Sequence, residues 1–200
     1  MPAIERPELL DVPTRITNEQ IVLRPYRAGD GTAIFKAVDL DRQDLKRWVD
    51  WVDEYPAVED SERYARRMHA KWLARESLVY GIWALDESEL YGGISIHAFD
   101  WKVPMGEIGY FLHKEARGRG IATAALRLVT DLGMQAVGLN RIWATCDAAN
   151  EGSWRLLERV GYKREGHLRS ERRTPQGSLR DTFVYGMLAR EWPLAQTAFT

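Results

Sequence analysis

One segment constrains this chain more than any other: a strand that runs into a glycine-rich turn, which in turn opens a helix. Residues 106–126 read Gly-Glu-Ile-Gly-Tyr-Phe-Leu-His-Lys-Glu-Ala-Arg-Gly-Arg-Gly-Ile-Ala-Thr-Ala-Ala-Leu. Gly118 and Gly120 let the backbone close around an anion. The first N–H groups of a helix have no partner within it, and the helix N-terminus carries partial positive charge. The segment therefore predicts a phosphate-binding turn, to which Arg117 and Arg119 add charge.

Two common nucleotide motifs do not fit this turn. A P-loop needs a Gly-Lys-Ser/Thr ending, and no such run exists in the chain. The dinucleotide fingerprint requires a third small residue where Thr123 stands, and residues 136–144 contain no carboxylate for a ribose. A nucleotide-dependent enzyme is therefore disfavoured.

The rest of the chain reads as a mixed α/β domain. Hydrophobic periodicity and turn residues predict strands over 21–24, 78–85, 91–99, 106–112, 141–146, 162–167 and 181–188, and helices over 31–38, 60–75, 120–137 and 151–160. Asp30 is placed to cap the first helix, and residues 174–177 form a turn before the last strand. The order implies about seven strands, with one strand–helix–strand crossover between 106 and 146.

Composition limits the classes of partner. The 200 residues suit one domain, and 45% are apolar. A formal charge of −1 gives no reason to expect nucleic acid or a membrane surface. The single cysteine, Cys146, excludes an internal disulfide and lies in an apolar strand, where we expect it to be a core residue. With no signal-like or spanning stretch, we expect a cytoplasmic protein.

Two motifs in this order resemble a known family. Arg117-Gly-Arg-Gly-Ile-Ala122 fits the Q/R-x-x-G-x-G/A motif of the GCN5-related N-acetyltransferases (GNAT). Asn150, one strand and one helix later, begins a stretch that ends in Gly161-Tyr162, as in that family. Weaker similarities at 21–25 and 185–192 indicate the RimJ/RimL-like branch, which acetylates ribosomal-protein N-termini. The resemblance covers residues 18–192, with 1–17 as a lead-in and 193–200 as a tail.

The resemblance implies a fold, a reaction and a cofactor. The acyl-CoA N-acyltransferase fold has a mostly antiparallel sheet, one splayed parallel pair and helices on both faces. Acetyl-coenzyme A would lie in the splay between 109–112 and 142–146, with a backbone N–H near Phe111 as oxyanion donor. The implied cofactor-binding residues are Phe111, Leu112, Arg117, Gly118, Arg119, Gly120, Ile121, Ala122, Thr123, Asn150 and Ser153.

The resemblance also bears on the acid that protonates the leaving thiolate. Many relatives use a tyrosine seven residues after the asparagine, but here that position is Leu157. The RimL-like branch has a serine three residues after it, and Ser153 stands there. We expect Ser153 to contact the coenzyme sulfur and protonate it; a first-turn serine bonded to backbone is the structural alternative. Asn150 is equally well explained as a helix cap.

Candidates for a general base are fewer. Glu107 lies on the strand that would bind the cofactor, where some relatives place a water-linked glutamate; a solvated or ion-paired strand residue is the alternative reading. Thr145 occupies the position at which other relatives have a glutamate. Glu171, after the sixth strand, is a weaker candidate. The four histidines lack the spacing of metal ligands, so we expect no metal site.

The acceptor is an amine of uncertain class from sequence alone. A free α-amino group has a pKa near 8 and a lysine near 10.4, so an N-terminus needs less help from a base. We expect a protein N-terminal amine; a small-molecule amine such as a polyamine, amino acid or antibiotic, or a catalytically silent coenzyme A binder, are the alternatives. Trp48, Trp51 and Tyr55 would shape the acceptor groove, or pack in a core or dimer contact. The sequence leaves a homodimer as a possible partner arrangement, because members of the resembled family often form dimers.

Overall fold

The computed structural model describes residues 2–174 and 177–193, and its centre is a single mixed sheet. The strands are β1 (Ile16–Thr17), β2 (Val22–Pro25), β3 (Leu78–Trp83), β4 (Leu90–Asp100), β5 (Met105–Leu112), β6 (Arg141–Asp147), β7 (Lys163–Arg173) and β8 (Leu179–Leu188). Their order in the sheet is β1-β2-β3-β4-β5-β6-β8-β7. All neighbouring strands are antiparallel except β5 and β6, which are parallel.

Helices cover both faces of this sheet, as the sequence predicted. They are α1 (Gly31–Asp39), α2 (Arg42–Leu45), α3 (Val58–Leu73), α4 (Ile121–Asp131) and α5 (Glu151–Val160). No helix within the described residues is long and apolar enough to cross a membrane.

Alternation along the strands explains the two layers. In β3, Tyr80 and Ile82 face the larger core with α4 and α5, whereas Val79 faces a smaller core with α1 and α3. Strands buried on both faces read as continuous apolar runs, and every residue of β3 is buried. The mixed α/β acyltransferase architecture predicted from the sequence is confirmed.

Several boundaries differ from the prediction. The sheet has eight strands in the described residues, because the two-residue β1 pairs with β2 and carries too little pattern to be detected. The helix predicted over 120–137 is α4 followed by one π-helical turn at Leu132–Ala136. β7 runs on to Arg173, so Glu171 lies in a strand rather than in a loop. Residues 175–176 of the predicted turn, and 194–200 of the predicted tail, lie outside the described residues.

The role predicted for Asp30 as a side-chain cap is wrong. Asp30 occupies the N-cap position of α1, but its carboxylate makes no capping hydrogen bond. It instead receives two hydrogen bonds from the buried Arg24 guanidinium, at 2.7 and 2.9 Å, and one from the Arg27 N–H. A buried arginine needs a paired anion, and this requirement outweighs the local capping preference.

Candidate active site

A gap between β5 and β6 divides the sheet. The two strands pair at only three positions, Met105 with Arg141, Gly106 with Ile142 and Glu107 with Trp143. Beyond them β5 stays paired with β4 up to Leu112, and β6 stays paired with β8 up to Asp147. Both strands therefore continue while diverging, and each presents an unpaired edge to the other.

A cavity of about 840 Å³ opens through this gap. It is within the usual size range of small-molecule sites. Most of the cofactor-binding residues predicted from the sequence line it, namely Phe111, Leu112, Arg117, Gly118, Gly120, Ile121, Ala122, Thr123, Asn150 and Ser153. The structure thus brings together two motifs that lie 33 residues apart, Arg117 and Asn150, counted from the sequence.

The glycine turn opens one end of the cavity onto the start of α4. Gly118 and Gly120 have φ angles of +73° and +80°, which glycine adopts without strain. Gly120 is the N-cap of α4 and offers no side chain to its first N–H groups. The amide of Gln20 supports the turn by donating to the Arg119 carbonyl at 2.7 Å. The free N–H groups and positive end of α4 suit a phosphate ligand.

The two arginines of the turn have different surroundings. Arg117 lines the cavity and forms ion pairs with Asp41 and Asp44, while its Nε donates to the Leu112 carbonyl at 3.2 Å. The Arg119 guanidinium lies 5.1 Å above the Tyr91 ring, away from the cavity lining. Arg117 therefore joins the turn to the loop before α2 and to α2 itself.

The unpaired edge of β5 presents the peptide groups of alternate residues to the gap. The His113 N–H, just after β5, donates to the Tyr91 carbonyl of β4 at 3.1 Å, and the β4–β5 register is constant from there to Glu107. Because successive peptide groups point to opposite sides of a strand, the Phe111 N–H is directed at β4. The gap-facing N–H groups belong to Tyr110 and Leu112. Phe111 meets the cavity with its ring.

A hydroxyl pair lies on the α5 side of the gap. The Tyr110 hydroxyl is 3.0 Å from Ser153 Oγ and donates to the Ser153 carbonyl at 3.1 Å. Burial raises the pKa of the Tyr110 phenol, which keeps it protonated. Cys146 is buried in the core, as predicted, and burial raises the pKa of its thiol to about 11. Tyr110 was not recognised in the sequence, because its partner is 43 residues away.

Asn150 caps a helix and also stands at the cavity. It is the N-cap of α5, and its side-chain oxygen accepts a hydrogen bond from the Ser153 N–H at 3.3 Å. It also lines the cavity. Capping fixes the first turn of α5, and with it the position of Ser153.

The carboxylate of Glu107 lies beside the cavity and behind its lining. Thr145 Oγ1 donates to Glu107 Oε1 at 2.9 Å, and His97 Nε2 is 3.6 Å from Glu107 Oε2. Thr145 and His97 themselves line the cavity. The weaker candidate, Glu171, accepts a hydrogen bond from Thr182 at 2.7 Å and borders a separate depression at the ends of β7 and β8.

Aromatic rings wall the cavity on the face opposite α5. Trp48, Trp51 and Phe111 line it, and the rings of Trp51 and Phe111 meet edge to face with centroids 5.3 Å apart. Tyr55 lies behind them, 6.2 Å from Trp51. Trp48 and Trp51 therefore stand at the groove, whereas Tyr55 supports Trp51.

The chain has clear relatives among known proteins. The family model described as acetyltransferase (GNAT) domain matches residues 20–163. A relative from Bacillus subtilis strain 168, named "Putative ribosomal N-acetyltransferase YdaF", is 31% identical over 177 residues, which cover 88% of this chain and 94% of the relative.

Solved structures share the fold. Mycobacterium smegmatis RimJ, determined in complex with CoA-disulfide, is 27% identical with a TM-score of 0.79, and the match covers 96% of this chain and 92% of that one. RimL, a ribosomal L7/L12 alpha-N-protein acetyltransferase in complex with coenzyme A, superposes with a TM-score of 0.82 at 18% identity, over 88% of this chain and 99% of that one.

Proposed function

The chain belongs to the GNAT acetyltransferases, and we propose that it transfers the acetyl group of acetyl-CoA to the N-terminal α-amine of a protein, with a ribosomal protein as the favoured acceptor. The observation that carries the proposal is the gap between β5 and β6, which opens at one end onto the glycine turn before α4. The name of the Bacillus relative and the RimJ likeness support a ribosomal acceptor.

The residues of the turn fit the phosphates of coenzyme A. The diphosphate would be bound by N–H groups in the turn over Gly118 to Gly120 and at the start of α4, at Ile121, Ala122 and Thr123. Arg117 stands at the cavity, where its charge is paired with Asp41 and Asp44, and Arg119 stands nearby on the other side of the turn. Asn150 contacts the cofactor from the start of α5.

The pantetheine arm would lie along the free edge of β5. The gap-facing N–H groups of Tyr110 and Leu112 pair with its amides, and one of them stabilises the negative charge that develops on the thioester oxygen. Phe111 contacts the acetyl end with its ring. Holding amine and thioester together in this gap supplies much of the rate acceleration.

Ser153 is the proposed acid for the leaving thiolate. It lines the cavity, and the Tyr110 hydroxyl lies 3.0 Å from its Oγ. In the reaction the amine nitrogen forms a bond to the acetyl carbon, the carbon–sulfur bond breaks, and the thiolate takes a proton from Ser153. The Tyr110 hydroxyl stays protonated and holds Ser153 in position, while the proton that Ser153 gives up is replaced by the one that the amine nitrogen loses as the amide forms.

The acceptor would enter from the face walled by Trp48, Trp51 and Phe111. This face is separate from the side of the gap that holds Ser153. Two rigid indole rings can pack against the first side chains of a peptide with little loss of conformational entropy.

The test combines coenzyme binding with acceptor choice. Calorimetry should detect coenzyme A binding, and thiol release from acetyl-CoA should follow addition of a peptide with a free N-terminus. The same peptide with its N-terminus blocked and an internal lysine retained is the matched control, and it should give no release. If a polyamine gave thiol release and none of the peptides with a free N-terminus did, the acceptor would be a small molecule and the proposal would be contradicted.

A further inference from the structure

Three polar side chains form a chain of contacts on the acceptor face of the sheet. Ser95 Oγ is 3.2 Å from His97 Nδ1, and His97 Nε2 is 3.6 Å from Glu107 Oε2. Ser95 and His97 line the cavity, and Glu107 lies behind them. This order, hydroxyl, imidazole and carboxylate, is one that enzymes use to move a proton.

Strand alternation and register create the cluster. Ser95 and His97 are two residues apart on β4 and so share a face, and the register sets His97 opposite Glu107 and Ser95 opposite Gly109. Gly109 leaves room for the imidazole, because a Cβ there would stand 3.2 Å from His97 Cε1. Any larger side chain at 109 would press on the ring.

The cluster adjoins the proposed reacting centre. Gly109 lies on β5 just beyond the last β5–β6 pair, between Glu107 and the gap-facing amides of Tyr110 and Leu112. Ser95 Oγ is also 3.5 Å from the Gly109 carbonyl. The Ser95–His97 pair therefore lies over Gly109, one strand away from the free edge of β5, on the face from which the amine would enter.

The surroundings keep the imidazole neutral, so that it is free to accept a proton. The His97 side chain is 40% exposed, on its cavity side. Burial lowers the pKa of His97, and the Glu107 carboxylate opposite it on β5 acts in the other direction. From β6, Thr145 faces the pair with an uncharged hydroxyl that donates to Glu107 and fixes its orientation.

We propose that Ser95, His97 and Glu107 form the proton relay that deprotonates the acceptor amine. The bound ammonium gives a proton to Ser95 Oγ as the Ser95 hydroxyl proton passes to His97 Nδ1. The resulting imidazolium directs its Nε2–H to Glu107, which is a positioning residue. The amine loses two protons over the reaction: one leaves through this relay to solvent, and the other replaces the proton that Ser153 gives to the thiolate.

The relay rests on the proposed acetyl transfer and assigns its base. It gives Glu107 an indirect part, because the carboxylate reaches the cavity through His97 and Thr145. The Ser95 hydroxyl has a second reading, as a nucleophile that would take the acetyl group itself, and this reading makes a different prediction.

The experiment is the pH dependence of kcat for His97→Gln with a free N-terminal peptide. At pH 7 we expect kcat to fall by roughly 10²-fold, the usual contribution of a general base. The deficit should shrink above about pH 9, where an α-amino group with a pKa near 8 is already neutral. A deficit of equal size at every pH, or no deficit, would overturn the relay.

Matched variants separate the relay from structural damage. His167→Gln removes another histidine–carboxylate pair, 2.6 Å from Asp181 and away from the cavity, and should leave kcat unchanged. Glu107→Gln should move the acidic limb of the profile to lower pH, because loss of the carboxylate lowers the pKa of His97. Ser95→Ala should lower kcat at pH 7 with coenzyme A affinity retained. An acidic limb unmoved in Glu107→Gln would count against the relay.

Two further outcomes are informative. If the wild-type protein shows neither coenzyme A binding nor thiol release with any amine, the proposed function itself fails. If mass spectrometry of the protein mixed with acetyl-CoA alone finds an acetyl group on Ser95, then Ser95 is a nucleophile and the relay is wrong. Acetyl transfer by wild type with no acetyl-Ser95 supports the relay.

Discussion

The Arg117 guanidinium lies 2.7 Å from the Asp44 carboxylate, and this ion pair joins the phosphate-binding turn to α2 on the acceptor side of the cavity. Arg117 also pairs with Asp41, just before α2. The walls of the two proposed substrate sites are thus linked through one side chain.

This link predicts effects on both substrates. Arg117→Ala should raise KM for acetyl-CoA and for the peptide, whereas Asp44→Asn should raise KM for the peptide alone. We expect about fivefold for Asp44→Asn, in line with the roughly 1 kcal/mol of a partly exposed ion pair. Initial rates over a grid of both substrates measure the two constants. Equal effects of Asp44→Asn on both constants would contradict the assignment of α2 to the acceptor side.

Trp51 should govern acceptor binding. Its ring packs against Phe111 at the cavity wall, so Trp51→Ala should raise KM for the peptide about tenfold, which matches the energy of an aromatic contact. KM for acetyl-CoA should be unchanged. Trp101 provides a tryptophan-to-alanine control. Its ring stacks on that of Phe99, with centroids 4.3 Å apart, and lies away from the cavity. If the KM for the peptide rose in Trp101→Ala and not in Trp51→Ala, the acceptor would have to bind elsewhere.

Removal of Ser153 should slow chemistry and spare binding. Ser153→Ala is expected to lower kcat by roughly 10²-fold through loss of the acid, with coenzyme A affinity retained. Tyr110→Phe keeps the ring and removes the hydroxyl 3.0 Å from Ser153, so its effect should be smaller. Thiol release gives kcat, and calorimetry gives the affinity. An unchanged kcat in Ser153→Ala would leave it only a structural role at the start of α5.

The buried pair of Arg24 and Asp30 should dominate the stability of the N-terminal part of the sheet. Both side chains are 8% exposed. Asp30→Ala leaves the Arg24 charge with Glu87 alone and should lower the free energy of unfolding by roughly 3 kcal/mol. Arg66→Ala, which breaks an exposed pair with Glu62, should cost below about 1 kcal/mol. Urea unfolding monitored by tryptophan fluorescence measures the free energy of unfolding of both variants. Equal decreases in the two would contradict the prediction.

The pair of Arg141 and Glu165 predicts a pH-dependent stability. The Arg141 guanidinium lowers the pKa of Glu165 below its usual value. The contribution of this ion pair to the free energy of unfolding is therefore present above the pKa that Glu165 has in the unfolded chain. It is lost as the pH falls through the lower pKa that Glu165 has in the folded protein. Glu165→Gln should destabilise by about 0.5 kcal/mol at pH 7, and the difference should shrink as the pH falls below about 4.3, the usual pKa of a glutamate, and through the lower folded pKa. Urea midpoints over this range measure it; a difference that persists in acid would exclude the ion pair as its cause.

The sequence predicted those features of the site that depend on residues close together in the chain. Gly118 and Gly120 sit next to the helix whose N-terminus they expose, so the turn could be read from sequence. Asp30 was misread because Arg24 reaches it from another element. His97 and Ser95 occur in an ordinary alternating strand, and only the pairing of β4 with β5 brings His97 to Glu107 at the cavity. Register between strands is a tertiary property, and a single sequence carries no direct record of it.

The short ladder between β5 and β6 also bears on how the molecule opens. Five strands, β1 to β5, lie on one side of the break and three, β6 to β8, on the other. Cooperative units of a fold are joined by the hydrogen bonds and packing that cross between them. Because only three residue pairs join β5 to β6, we expect one group of strands to exchange its amide hydrogens faster than the other, with the apolar contacts of α4 and α5 as the main connection between them.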